Sequence, residues 1–514
     1  MRGGLAVILC ALVSAPLSLS GQGVNLRTRQ WNDPYVAIGN KAASDYTPAA
    51  SLLSPYYSYS SAAASFDLRE ERNGAYVPEE GDALRQGRFD AWSLLRLKGN
   101  SAVSGRVGYR RAVKRDVVLN ETADYRLLRP YVLIDTVGGD LQHEQYSFRG
   151  AWMRRSNRLV CSVYGSYKAV HEYRSFDPRP RNVSSDIKAD FSLGYLFPHG
   201  SVIGYAGYRK YHQRQDVSFM NNTGANTTLF HYTGLGNDYF RFRSTGVFAA
   251  TRYAGQGLEA GVVGTGVSGR LHYGLSYDLL EVSRHLSNQN EAPLSTLGTE
   301  TLNSFASYCV SPSFAMEAAI EYERRRGDEN VIDCAASGIY NNILSLRMYT
   351  QDMVNASLSG VVRVEKRYGT WHLMPSVRWM LSSEEYLYPS SWMESSTLSG
   401  RLAGGFSTIK GLWLCDLRTG VEYSGCLYGS HSLQSGEELF RVSCIDRFER
   451  RTAGSLQCNA QALVQREIRG LLAVFSRLSL GGMFYGQGSL GFEQLSRRNG
   501  EEMVLKLTSG QRLV

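Results

Sequence analysis

Cysteines are the residues of this sequence with the most obvious chemistry, and there are eight of them. One, Cys10, lies in an apolar run near the N-terminus. The other seven are an odd number without a Cys-x-x-Cys pair, which excludes the usual spacing of a structural zinc site and a complete disulfide framework. They are Cys161, Cys309, Cys334, Cys415, Cys426, Cys444 and Cys458. Cys415 and Cys426 flank Thr419-Gly420 and are predicted to lie on adjacent strands. A cross-strand disulfide between them is one interpretation. A small apolar side chain within a strand is the other.

The common motifs of enzymes are absent from the sequence. There is no Walker loop, no His-Glu-x-x-His and no Gly-x-Ser-x-Gly. The nine histidines are scattered, and no two of them have the spacing of metal ligands. The sequence therefore predicts no catalytic residue, no metal site and no cofactor, and it singles out no binding residue.

One short motif could still carry chemistry. His285-Leu286-Ser287-Asn288 is similar to the His-x-Ser-Asn motif of outer-membrane phospholipases, in which the serine attacks an ester and the histidine acts as the base. Gln289 replaces the glycine that follows in that family, and the motif stands at the start of a polar stretch. A lipid-acting hydrolase is therefore one alternative, and a solvated loop is the other.

The N-terminus has the features of an export signal. Arg2 is followed by an apolar run from Leu5 to Leu12, and small residues recur at Ser18 and Ser20. This pattern predicts a signal peptide over residues 1–20, with the mature chain starting near Gly21. The apolar run is too short to span a bilayer as a helix. A buried N-terminal strand is the alternative interpretation.

The dominant pattern in the rest of the chain is alternation of apolar and polar residues. Between residues 186 and 197 the odd positions are apolar, and the even ones are polar except Leu196. The same alternation occurs over residues 271–279, 314–322, 354–364 and 456–464. It predicts strands with one apolar and one polar face. Because no later run of 18 apolar residues exists, only strands could cross a membrane.

These strands are joined by connections of two kinds. Short turns rich in Gly, Asn and Pro stand at Gly99-Asn100, Ser156-Asn157, Pro198-His199-Gly200, Arg367-Tyr368-Gly369 and residues 467–470. Longer polar connections are predicted at residues 177–185, 216–228, 283–299, 327–337 and 384–396. Short turns on one side and long loops on the other are typical of outer-membrane barrels, whose short turns are periplasmic.

Residues 177–185 are thus predicted to be an extracellular loop. Pro178 and Pro180 lack backbone donors, which argues against a ladder inside a sheet. Arg174, Arg179 and Arg181 would place positive charge in this loop. Anionic surface sugars or a partner's carboxylates could pair with them, or they could be merely solvated.

The simplest fold is a single transmembrane antiparallel β-barrel over residues 56–514. About nine hairpins give roughly 16–20 strands. Several soluble sandwich domains would need Pro- or Gly-rich linkers between them, and none is visible. No fixed-length repeat supports a propeller. Residues 21–55 precede the barrel, and their non-alternating part, residues 31–55, is either a plug in the lumen or a periplasmic lead-in.

Aromatic and charged residues have expected places in such a barrel. The aromatic residues near predicted strand ends should form girdles at both membrane boundaries. They are Tyr205, Tyr208, Tyr211, Trp371, Trp379, Tyr386, Tyr388, Tyr423, Tyr428, Phe484 and Tyr485. Charged residues on the polar strand faces should form a lumen wall in which charges pair across strands, or a selectivity surface.

Two motifs resemble a known family. Phe176-Asp177-Pro178-Arg179-Pro180-Arg181-Asn182, followed by Ser185-Asp186, and the Trp31-Asn32-Asp33-Pro34 segment are similar to an uncharacterised outer-membrane β-barrel family, a domain of unknown function typical of Bacteroidota. The resemblance implies a fold and a location. It implies no activity, because that family has none established.

The sequence therefore predicts an integral protein of the Gram-negative outer membrane without enzymatic activity. Its expected role is a pore, transport or surface-assembly component. A phospholipase-like barrel and a structural or adhesive barrel are the alternatives. The expected partners are outer-membrane lipid, the barrel assembly machinery, and a surface polysaccharide or partner protein. Nucleic acid is not expected, because the net charge of +9 is spread along the chain without a basic stripe.

Overall fold

The computed structural model describes residues 24–38, 46–53, 58–72, 77–220, 228–243, 248–287, 290–333, 340–434, 436–469, 472–486 and 501–513. The predicted signal peptide, the start near Gly21, and Cys334 lie outside these residues.

Strands dominate the described residues. They are β1 (Tyr59–Arg72), β2 (Ala83–Leu97), β3 (Ser101–Val117), β4 (Leu133–Ile134), β5 (Gly139–Ser156), β6 (Leu159–Tyr173), β7 (Arg179–Phe197), β8 (Gly200–Ser218), β9 (Phe230–Gly234), β10 (Asn237–Asp238), β11 (Thr251–Gly266), β12 (Leu271–Leu286), β13 (Ala292–Ser311), β14 (Phe314–Ile332), β15 (Asn342–Lys366), β16 (Gly369–Tyr386), β17 (Ser391–Lys410), β18 (Trp413–Leu433), β19 (Gly454–Arg469), β20 (Leu472–Gly486) and β21 (Glu501–Leu513).

The helices are few and mostly short. They are α1 (Val24–Asn32), α2 (Pro34–Val36), α3 (Tyr125–Leu128) and α4 (Glu438–Thr452), with 3-10 helices at Pro48–Leu52, Phe240–Phe242 and Val267–Gly269. In the described part of the chain, no helix is long and apolar enough to cross a membrane.

Eighteen strands form one antiparallel sheet in which strands that follow one another along the chain are neighbours. β4, β9 and β10 stand apart as a small three-stranded sheet. β8 pairs directly with β11. The first strand pairs with β2, where Phe66 is opposite Gly87, and also with β21, where Phe66 is opposite Leu507. The predicted fold, an antiparallel β-barrel of roughly 16–20 strands, is confirmed.

The connections differ between the two ends of the barrel. At one end, the short-turn end, successive strands are joined by two to four residues. At the other, the long-connection end, some connections are far longer, above all those between β3 and β5, β8 and β11, and β18 and β19. Asn100 and Asn157 adopt left-handed φ values of 57° and 50° in two short turns, a conformation that asparagine tolerates.

The outer face of the barrel is apolar, as the alternation predicts. On β7, Phe191 is 55% exposed and its neighbour Ser192 is 2% exposed. The odd residues from Ile187 to Phe197 are exposed, and the even ones face inward. Exposed Leu, Val and aromatic side chains continue around the other strands. This surface is suited to the hydrocarbon of a membrane.

Several predicted loops are strands instead. The strands of the hairpins β12–β13, β14–β15 and β16–β17 extend into these predicted loops, over residues 283–286, 292–299, 327–332, 384–386 and 391–396. Beyond the apolar belt neither face of a strand is strictly apolar. The alternation therefore fades although the backbone pairing continues.

The predicted extracellular loop 177–185 is also wrong from Arg179 onward, because β7 begins there. Pro180 lies opposite Val217 of β8, and its carbonyl accepts a hydrogen bond from the Arg174 backbone. The missing donor of Pro180 therefore faces the side on which β6 has already ended, so the proline interrupts no ladder.

The cysteine prediction is corrected as well. Cys415 and Cys426 both belong to β18 and lie opposite Thr408 and Thr397 of β17. They are not on adjacent strands, and both are free thiols. Thr419-Gly420 is strand, not a turn.

The aromatic residues predicted for the girdles do not all face outward. Tyr208, Trp371, Trp379, Tyr388, Tyr423, Tyr428 and Phe484 are exposed. Tyr205, Tyr211 and Tyr386 are buried. These three side chains face inward, because they occupy the lumen-facing parity of their strands.

Candidate functional site

The N-terminal segment, meaning the described residues 24–38 and 46–53, lies against the inner wall at the short-turn end. The buried Gln465 side chain of β19 donates hydrogen bonds to Asn25 Oδ1 at 2.9 Å and to Thr28 Oγ1 at 3.1 Å. On another side of the lumen, Ala49 and Ala50 pack into an apolar cluster with Ala151, Val160 and Ile203. The segment therefore touches distant parts of the wall.

A buried carboxylate fixes the middle of the N-terminal segment. Asp33 Oδ1 lies 3.0 Å from His372 Nε2, and its Oδ2 lies 3.3 Å from Arg363 Nε. Burial alone would raise the pKa of Asp33, but the hydrogen bond and charge of His372 and the charge of Arg363 outweigh burial and lower it. The ionised carboxylate thus ties the segment to β15 and β16.

A second inner structure fills the long-connection end. We call it the loop layer, and it consists of residues 118–138, 228–243 and 436–453. It contains α3, α4 and the small sheet, in which Leu133 lies opposite His231 and Asn237 lies opposite Gly234.

The loop layer has an apolar core that it shares with the barrel wall. Phe440, Cys444 and Phe448 lie four residues apart on α4 and form its buried stripe. They belong to one cluster with Tyr232 of β9 and Tyr349 of β15. Burial raises the pKa of the Cys444 thiol, so this cysteine stays neutral.

Ion pairs and hydrogen bonds attach the loop layer to several strands. Arg450 of α4 pairs with Glu71 of β1 at 2.8 Å. Asp124 accepts hydrogen bonds from Lys168 of β6 at 3.0 Å, Ser184 of β7 at 2.9 Å and Tyr211 of β8 at 3.0 Å. Burial would raise the pKa of Asp124, but Lys168 and the hydrogen bonds lower it.

Between these two structures the lumen holds a chamber of about 790 Å³. The N-terminal segment contributes Tyr46 and Ser51 to its lining. The strands contribute charged and polar side chains, including Asp90, Arg149 and Glu259. A cavity of about 380 Å³ shares these three residues. That cavity in turn shares Arg110, Gln145, Lys168 and Arg209 with one of about 480 Å³, which borders the loop layer.

Charged residues that line the chamber and the adjoining cavity of about 380 Å³ pair across strands, as the sequence predicts for a lumen wall. Arg209 of β8 holds Asp186 of β7 through two hydrogen bonds of 2.9 and 2.8 Å. Arg106 of β3 contacts Asp90 of β2 at 3.1 Å. Lys188 of β7 pairs with Glu259 of β11. A polar solute in the chamber would therefore meet fixed charges of both signs.

The hydrolase motif is not assembled into a catalytic pair in the described residues. His285 Nδ1 lies 2.9 Å from the Glu291 carbonyl. The Ser287 hydroxyl is buried without a hydrogen-bond partner in the described chain. Asn288 and Gln289 lie outside the described residues. No group of three or more His, Cys, Asp or Glu side chains within the described ranges could hold a metal ion.

Sequence reasoning missed the loop layer entirely, because its three parts lack the alternation from which the strands were predicted. One signal was available in α4, where the spacing of Phe440, Cys444 and Phe448 is that of an amphipathic helix. No signal was available for the ion pairs, because their partners are far apart in the chain.

Comparison with known proteins places the chain in DUF6850, a family of unknown function, whose match covers residues 48–504. The chain therefore belongs to this family, and the motif at residues 176–186 lies within the matched residues. The Trp31–Pro34 motif lies outside the matched residues. No curated protein sequence matches the chain.

Solved structures offer distant similarities. The outer membrane transporter YddB from Escherichia coli matches with 8% identity and a TM-score of 0.39, over 88% of this chain and 80% of that one. BauA, the ferric preacinetobactin receptor from Acinetobacter baumannii, matches with 7% identity and a TM-score of 0.38, over 88% and 80%. Similarity at this level identifies neither a ligand nor a mechanism for this chain.

Proposed function

We propose that the protein is a gated transport barrel of the Gram-negative outer membrane that admits a polar solute. The observation that carries the proposal is the polar chamber inside the barrel, with the N-terminal segment on one side and the loop layer on the other. A purely structural or adhesive barrel has no need of a charged chamber. In an open pore, nothing would have to occupy both ends of the lumen.

The location follows from the outer surface and from the expected signal peptide. An apolar belt on an antiparallel barrel is stable only in lipid, and the bacterial outer membrane is where exported barrels of this kind insert. The barrel assembly machinery would be the partner in insertion. A surface polysaccharide or a partner protein remains the expected contact of the long-connection end, and Bacteroidota remain the expected source.

The N-terminal segment acts as a plug in this proposal, not as a periplasmic lead-in. Its contacts with Gln465 and His372 are made inside the lumen. The contacts of residues 24–38 are hydrogen bonds and ion pairs, which water can replace, so this part of the segment can leave the wall without exposing a large apolar surface. Ala49 and Ala50 are held by apolar packing instead.

Antibiotic entry into cells tests the proposal. An opened variant would lack residues 24–53 and carry Gly/Ser linkers of equal length in place of β9–β10 and α4. Cells producing this variant should become sensitive to vancomycin, which an intact outer membrane excludes, and cells producing the wild-type protein should not. Equal resistance, with both proteins shown to be folded in the outer membrane, would refute the proposal.

A further inference from the structure

One row of side chains across the barrel wall concentrates positive charge. Register pairs Arg106 of β3 with Arg149 of β5, Arg149 with Ser166 of β6, Ser166 with Lys188 of β7, and Lys188 with Arg209 of β8. All five side chains face the lumen, because they share the parity opposite the exposed apolar residues. The row holds four basic residues and no acidic one.

Three of these four cations have a carboxylate from a neighbouring row. Asp90 forms an ion pair with Arg106, Glu259 with Lys188, and Asp186 with Arg209. Arg149 has neither an ion pair nor a hydrogen bond to any residue in the described ranges.

The immediate surroundings of Arg149 explain why it lacks a partner. Across the strands it stands between Arg106 and Ser166, and along its own face of β5 it stands between Ser147 and Ala151. None of these side chains is acidic. A like charge directly opposite is destabilising in a sheet, so the pairing of Arg149 with Arg106 is unfavourable.

The position of Arg149 makes it accessible to a solute. It lines both the chamber of about 790 Å³ and the adjoining cavity of about 380 Å³. Arg106 lines both cavities too, and its contact with Asp90 uses one of its terminal nitrogens. The guanidinium of Arg149 and the other N–H groups of Arg106 are therefore available to a solute in these cavities.

We propose that Arg149, supported by Arg106 and the Ser166 hydroxyl, binds a phosphate group of the transported solute. A guanidinium fork matches two oxygens of such a group, and a hydroxyl can donate to a third. The bound anion would separate the two like charges. This inference rests on the proposed transport function and specifies its substrate class as anionic polar molecules.

Calorimetric titration of the full-length, detergent-solubilised protein tests the site. The probes are glucose 6-phosphate, inorganic phosphate and glucose at low ionic strength. The wild-type protein should bind the two phosphates and not glucose. Arg149→Gln should weaken phosphate binding roughly tenfold or more, as expected for the loss of hydrogen bonds to a charged group. Arg149→Lys keeps the charge and loses the guanidinium fork. Its affinity for phosphate should therefore lie between those of the wild-type protein and Arg149→Gln.

Arg378→Gln is the matched control. Arg378 also faces the lumen, but it lies on β16 and lines none of the three cavities. The Arg378→Gln variant should bind the two phosphates as tightly as the wild-type protein does. Glucose binding as tight as that of glucose 6-phosphate, an absence of phosphate binding, or equal losses in Arg149→Gln and Arg378→Gln would overturn the site. These outcomes leave vancomycin entry through the opened variant unchanged, so failure of the site and failure of the transport proposal are distinguishable.

Discussion

Arg174 shows how far a residue's environment can differ from the one its sequence context indicates. Next to Pro178 and Pro180 it reads as a solvated loop cation. In the structure it is fully buried and donates hydrogen bonds to Glu121 at 2.8 Å and Asp135 at 2.9 Å. Both carboxylates belong to the loop layer and are themselves fully buried. The arginine therefore holds the loop layer to the end of β6.

Replacing Arg174 with alanine should strongly destabilise this end of the barrel. The change leaves two buried carboxylates without a counter-ion, which costs about 3–5 kcal/mol. Urea titration, with the folded fraction measured by heat-modifiable migration, should show the loss. Arg214→Ala is the control, because its pair with Asp216 is exposed and should contribute almost nothing. Equal midpoints for the two variants would contradict the buried ion cluster.

Phe191 and Asp190 test the orientation of the strand faces. Phe191 faces outward and Asp190 lines the chamber. Phe191→Arg should cost about 2–4 kcal/mol if the residue lies near the bilayer midplane, and Asp190→Asn should be mild. Refolding titrations into lipid vesicles give both values. A comparable loss at the two positions would show that the apolar face is not in lipid.

The Asp33 carboxylate makes attachment of the N-terminal segment pH-dependent. Because its pKa is lowered in the folded protein, its contribution is complete above the ordinary value of 3.8 and is lost as the pH falls through the lowered pKa. The protection factors of the backbone amides of residues 24–38, which correct the observed exchange for its intrinsic pH dependence, should therefore stay high at neutral pH and fall below about pH 4. Asp33→Asn should give fast exchange already at pH 7. Slow exchange in that variant would mean that Asp33 does not hold the segment.

The orientation of the strands in the membrane follows from the unequal connections at the two ends. Tyr388 lies in the β16–β17 connection at the long-connection end, and Tyr368 lies in the β15–β16 turn at the short-turn end. Both are highly exposed, at 77% and 80%. Ser184, near the end of the predicted loop 177–185, is buried against Asp124 and would not react with a labelling reagent.

We expect the long-connection end to be extracellular. A single cysteine at Tyr388, with the native cysteines removed, should react with an impermeant maleimide on intact cells. A single cysteine at Tyr368 should react only after the outer membrane is broken. The reverse labelling pattern would show that the short-turn end is extracellular.

The elements that the sequence predicted are those whose pattern is local. Alternation identified β7, β12, β14, β15 and β19, and the turn residues placed the short connections. The loop layer was missed because its segments fold inward through contacts with distant strands, such as Arg450 with Glu71. The sequence predicted a charged lumen wall but could not single out Arg149 among its charged residues. The neighbours of Arg149 depend on the register of β3, β5 and β6.

The whole molecule is a barrel whose lumen is occupied at both ends. Eighteen strands would enclose an aqueous channel if the interior were empty. The N-terminal segment and the loop layer instead leave adjoining polar cavities between them. Because the two structures lie in series along the lumen, each should limit the passage of ions when the other is removed.

Single-channel conductance in planar bilayers tests this central claim most directly. The four proteins to compare are the wild type, a variant lacking residues 24–53, a variant with Gly/Ser linkers in place of β9–β10 and α4, and the combination of both changes. Heat-modifiable migration establishes that each is folded. We expect the wild type and the two single variants to conduct weakly and the combined variant to form a large, steady channel. A wild-type conductance as large as that of the combined variant, or a combined variant that stays closed, would contradict the account.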